Sequence, residues 1–171
     1  MLGLQIAIGL HVLAGGIFVG CNVLLERVVH RLDAIPPREA ARMGELIGTD
    51  IVWINFGALA MVAFSGLYLM WGAGTLPDFV DPGFYTDGYG IALGLMMLLW
   101  LSVVATSLVI TFYLRPRLLV KLPYDTSREA LEEIGNSAMR ANTAMSWLGR
   151  YNLAAGVTTI LIGGFIRYGG F

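Results

Sequence analysis

Long runs without charge, rather than an alternation of polar and apolar positions, organise this chain. Residues 1–25 carry no Asp, Glu, Lys or Arg, and neither do 51–77 or 88–114. A fourth, shorter run, 151–166, lies between Arg150 and Arg167. A membrane-crossing helix needs about 20 predominantly apolar residues. The first three runs satisfy this outright, and the fourth does so once the arginines at its ends extend toward lipid headgroups. The pattern predicts an all-α, polytopic integral membrane four-helix bundle. It forms a single transmembrane domain over 1–171, with spans at about 3–25, 51–72, 89–114 and 147–167. The first run lacks a basic leading segment and is longer than a signal-peptide core, so it is expected to remain as a helix.

Composition narrows the class. The chain is 57% hydrophobic and 13% charged, against about 25% charged in soluble domains, and its mean hydropathy is +0.71. A net charge of −1 offers no basic surface for nucleic acid. A single cysteine, Cys21, excludes an internal disulfide framework.

Charge placement sets the expected orientation. Every Lys and Arg except Arg167 falls between 26 and 50 or between 115 and 150, whereas 73–88 holds only Asp78, Asp81 and Asp87. Positive-inside logic puts both basic connections in the cytoplasm and both termini outside, in a multi-pass protein of the inner or plasma membrane. Trp53, Tyr113, Trp147 and Tyr151 then mark the inner boundary, and Tyr68, Trp71, Tyr89 and Tyr168 the outer one. Trp100 falls mid-span, where packing is its expected role.

Each basic connection carries a short amphipathic helical pattern. The first begins at Pro37, which suits a first helical position, and the second follows a Thr126/Glu129 capping box. Both contain Arg-Glu-Ala, at 38–40 and 128–130. The halves therefore read either as a parallel repeat about an axis along the membrane normal or as two ordinary linkers.

Helical spacing of 100° per residue collects Ala7, His11, Gly15, Phe18 and Asn22 on one face of the first span, with Glu26 extending it. Ser102, Thr106 and Tyr113 share a face of the third. Gly149, Asn152, Gly156, Thr159 and Gly163 share a face of the fourth. Asn55 and Ser65 of the second do not align. Small residues let helix backbones approach, and amides or hydroxyls bond across. Gly15, Asn22, Thr106, Asn152, Gly156 and Gly163 are therefore the expected packing residues. Gly16-x-x-x-Gly20 lies opposite the His11 face, against another helix of the chain or a partner subunit.

His11 is the only histidine inside a span, where an ionisable side chain is a functional candidate. Its ring could ligate haem b or copper, or pack with a hydrogen bond to a hydroxyl of the third or fourth span. His30 lies about 28 Å further along a straight helix, too far to share a haem with it. Copper(I) favours thioether and imidazole, making His11, Met61 and Met96 the candidate metal set, with Met97 and Cys21 nearby. Motifs for hydrolases, zinc peptidases and nucleotide binding are absent, no span holds a carboxylate, and no catalytic residue is assigned.

The stretch Leu10-His11 through Phe18-Val19-Gly20 resembles the first-span pattern of copper-resistance protein D-like membrane domains. Arg115-Pro116-Arg117-Leu118 closing the third span, and Arg150-Tyr151-Asn152 followed by Leu153-Ala154-Ala155-Gly156 opening the fourth, are similar to later pieces of that pattern. More distantly, the layout is similar to the four-helix, haem-associated protoporphyrinogen oxidases of bacterial membranes. Those carry a lysine near the start of the third span, and this chain has no charge from Tyr89 to Tyr113. The resemblance implies a non-enzymatic membrane protein with a metal- or haem-linked or accessory role. The alternatives are a haem-containing oxidoreductase and a structural or assembly subunit. Expected partners are the lipid bilayer and, as open alternatives, a second copy or a larger membrane complex.

Overall fold

The computed structural model describes residues 2–32, 37–118 and 128–168. Side chains are described for 2–27, 49–117, 133, 136, 137 and 139–168. The described chain is helical, without strands. Helix α1 is Leu2–Leu32, α2 is Pro37–Ala73 and α3 is Gly88–Leu108. A π-helical segment, Val109–Leu114, carries α3 into a last short turn, α4 (Arg115–Leu118), and α5 is Arg128–Arg167.

One expectation changes here. The amphipathic patterns in the basic connections are not separate short helices. Each is the first part of a long one, 37 residues in α2 and 40 in α5. No proline interrupts either stretch, and an internal glycine such as Gly48 or Gly149 costs only about 1 kcal/mol of helix propensity. Pro37 does open α2, whereas Thr126 and the Glu129 side chain of the expected capping box lie outside what is described. Three stretches are long and apolar enough to cross a membrane: Leu2–Arg27, Thr49–Ala73 and Gly88–Arg117. The 147–167 part of α5 is not among them, because Arg150, Asn152 and Arg167 dilute its apolar run.

The link between α2 and α3 is tightly made. Gly74 takes φ +74°. Its N–H donates to the Trp71 carbonyl at 3.1 Å, and Thr75 N–H donates to Met70 at 3.0 Å. This double closure ends a helix on a left-handed residue, a role glycine fills without strain. Two 3₁₀ turns follow, Asp78–Val80 and Pro82–Thr86. They are held by Tyr85 Oη donating to the Phe79 carbonyl at 2.8 Å and by edge-on packing of Phe79, Phe84, Tyr85 and Tyr89. Asp81 and Asp87 have structural work. Asp81 Oδ1 accepts from Gly83 N–H at 2.9 Å. Asp87 caps α3, accepting from Gly90 N–H at 2.7 Å.

Helix α1 lies against α2 and α5, and α3 against α5. Phe18 of α1, Ala58 and Leu59 of α2, Val103 of α3 and Ala155 of α5 meet in one buried cluster, with Leu99, Trp100 and Val104 packed on it. At one end, α2 and the π segment touch through Phe56 and Phe112, and Arg115 donates to Thr49 Oγ1. Small and polar groups occupy the inside: Ala14 is fully buried, and Asn22, Ser65 and Asn152 are under a tenth exposed. Large apolar side chains such as Phe64, Leu98 and Phe112 point outward and are about two-thirds exposed or more. A water-facing surface would reverse that distribution.

Candidate functional site

The expected inner face of α1 is the face turned inward. Ala7, Phe18 and Asn22 are buried, and His11 and Gly15 partly so. His11 leans on α2. Its Nδ1 is 3.0 Å from Ser65 Oγ. A Cβ placed on Gly66 would come within 3.2 Å of His11 Cε1, so a side chain at 66 would crowd the ring. Ser65 Oγ in turn reaches the Met61 carbonyl at 2.5 Å and that of Val62 at 3.2 Å. A hydroxyl has one proton. With that proton given to a backbone carbonyl of its own helix, Ser65 can only accept from the ring. In that arrangement Nδ1 carries the imidazole proton, and in the neutral ring Nε2 keeps its lone pair.

Ser65 is the partner the sequence reading missed, having placed the hydrogen bond on the third or fourth span. Matched depth was the available signal. Counted from the ends of α1 and α2 away from their connection, His11 and Ser65 lie nearly equally far in. Consecutive antiparallel helices set such positions side by side.

The other candidate metal residues lie on α2 and α3. Met61 contributes its carbonyl to Ser65, and its side chain is 41% exposed. Met96 faces α5, its sulfur 3.9 Å from a Cβ built on Gly163. Among the described residues no three His, Cys, Asp or Glu side chains group as a metal site. One chain does not supply two histidines at one depth for a bis-imidazole haem, and His11 is a single imidazole donor.

A second polar network ties α3 to α5. Thr106 Oγ1 donates to Asn152 Oδ1 at 2.5 Å, and Asn152 Nδ2 donates to Ser107 Oγ at 3.3 Å. Ser102 Oγ and Tyr151 Oη are 2.6 Å apart. Asn22 instead donates back to the Phe18 carbonyl of its own helix at 2.8 Å, and Glu26 pairs with Arg150 at 3.1 Å. Gly15 and Gly156 set α1 against α5. A Cβ at Gly15 would meet Ile160 at 3.8 Å, and one at Gly156 would meet Val19 at 3.2 Å and Phe18 at 3.3 Å. Gly16 and Gly20 face open space, so their close-packing pattern is not used between these helices.

Tyr113 departs from the Ser102/Thr106 face and is 56% exposed, while Leu114 is buried. The π segment causes the shift: Arg115 N–H bonds to the Ile110 carbonyl, five residues back, which moves the following residues one place round. Its cause is in the sequence. Pro116 has no N–H and its ring collides with the carbonyl four residues before it in a regular helix, and a wider turn relieves the collision. Trp100 packs on the core as expected, but its Nε1 and Asn55 Oδ1 are buried without a hydrogen-bond partner.

No protein-family model matches the chain, and neither a curated protein nor a solved structure matches it.

Proposed function

We propose that this is a non-enzymatic, multi-pass protein of the inner or plasma membrane, similar in layout to the copper-resistance protein D-like domains. In this reading α1, α2, α3 and the 147–167 part of α5 form a four-helix transmembrane bundle. The basic connections lie in the cytoplasm and both termini outside. Support comes from the apolar exterior and polar interior, and from exposed Trp53 and Trp147 where the apolar parts of α2 and α5 begin and Trp71 and Tyr168 where they end, as aromatic belts at the two interfaces would require.

Within that bundle, His11 offers one nitrogen donor to a haem iron or a metal ion. The observation carrying this is the Nδ1–Ser65–Met61 relay. Ligand histidines are held in the same way, by a hydrogen bond on the ring nitrogen that does not face the metal. A bound iron or copper would supply redox or ligand-exchange chemistry. The chain supplies the donor, its tautomer and a site removed from water.

Absorption spectra and metal analysis of the purified full-length protein test this. The wild type is expected to retain haem or copper, His11→Ala to lose it at unchanged helix content, and His11→Gln to lose it while keeping a polar contact to Ser65. Cofactor retained by His11→Ala, or none in the wild type, rejects the ligand role and leaves an assembly subunit.

A further inference from the structure

At the end of the bundle where Arg115 meets Thr49, a groove of about 720 Å³ opens between α5 on one side and the π segment with α4 on the other. Its walls include Leu114, Arg117, Glu133, Asn136, Ser137 and Arg140. Arg117 lies flat over the Tyr113 ring, 3.7 Å from its centre, a contact that fixes the guanidinium without neutralising it. Among the described residues neither Arg117 nor Arg140 has a carboxylate within ion-pair distance, although Glu133 lines the same groove. The acid is therefore present but not used against either arginine. Ser137 and Asn136 add neutral donors on successive positions of α5. The π segment brings this about, because it turns Leu114 inward and leaves Tyr113 outside as the platform for Arg117.

We infer that this groove binds a phosphate group through Arg117 and Arg140, with Ser137 and Asn136 completing the contacts. Guanidinium groups match phosphate oxygens in geometry and charge. A pocket of this kind at the cytoplasmic edge of a helix bundle suits an anionic lipid headgroup. The assignment of the groove to that edge rests on the membrane reading above; the arginine–phosphate chemistry does not. A phospholipid headgroup and free phosphate share this chemistry, so the test separates them.

The experiment is native mass spectrometry of the detergent-solubilised full chain with phosphatidylglycerol, phosphatidylcholine or inorganic phosphate. The wild type is expected to retain phosphatidylglycerol over phosphatidylcholine. Arg117→Gln/Arg140→Gln should weaken that retention by about tenfold or more. Ser137→Asp, which adds a like charge at an exposed position and removes no arginine, should weaken it too. Arg167→Gln, on the other end of α5, should behave as wild type. Phosphate binding that is lost in the same variants, without a preference for phosphatidylglycerol, would identify free phosphate as the source. Equal retention by wild type, the double variant and Ser137→Asp overturns the proposal, and does so whether or not His11 binds a cofactor.

Discussion

Gly90→Ala is expected to be the most disruptive methyl group at any of the described glycines. A Cβ at this position would sit 1.7 Å from the Phe84 carbonyl oxygen and 2.7 Å from its carbon. Both are backbone atoms, so no rotamer change relieves the clash. The 3₁₀ turn ending at Thr86 would have to move away from the first turn of α3. That movement would also break the Asp87 cap on Gly90 N–H. Overpacking and a lost cap together amount to about 3 kcal/mol or more. Gly9→Ala, where nothing lies within 4 Å, should be neutral or slightly stabilising. Thermal unfolding in detergent compares the two. A Gly90→Ala protein as stable as Gly9→Ala would mean that the loop does not lie against α3.

Gly156→Leu is expected to separate α1 from α5. Phe18 and Val19 already stand 3.2–3.3 Å from the position of an added Cβ, and Phe18, only 4% exposed, belongs to the cluster in which α1, α2, α3 and α5 meet. Three more carbons have nowhere to go, and the loss should be about 1–3 kcal/mol. Gly164→Leu, eight residues further on and facing open space, should change stability little. Equal unfolding temperatures for the two variants would show that the α1–α5 seam is not where the structure puts it.

What could be read in advance followed from composition along the chain. Absence of charge over 1–25, 51–77 and 88–114 marks three apolar helices because burying an ion in hydrocarbon is expensive, so its absence over a full span length is informative. The inward face of α1 was legible for the same reason that helical wheels work at all: an unbroken helix keeps its phase from Ala7 to Asn22. Phase was lost at Tyr113, where Pro116 forces a π turn and Leu114 takes the inner place. The continuity of α2 and α5 past their amphipathic beginnings was hidden because glycine weakens a helix without ending it. Ser65 was overlooked because it stands alone on its own helix. Its role depends on which residue of α1 comes opposite, a tertiary fact. Asp81 and Asp87 show the converse, since a carboxylate beside Gly or before a helix is as much a turn or cap signal as a charge.

The proposal that the chain crosses the membrane four times, with both basic connections on the cytoplasmic side, bears on everything else. It places His11 in the bilayer and the arginine groove at its cytoplasmic edge. Cysteine accessibility in intact cells tests it most directly, in a Cys21→Ser background carrying Asp81→Cys, Asn136→Cys or Tyr168→Cys one at a time. The account predicts that a membrane-impermeant maleimide labels positions 81 and 168 from outside and position 136 only after permeabilisation. Labelling of 136 and 168 from the same side would mean that α5 does not cross, and labelling of 136 but not 81 from outside would mean that the orientation is reversed.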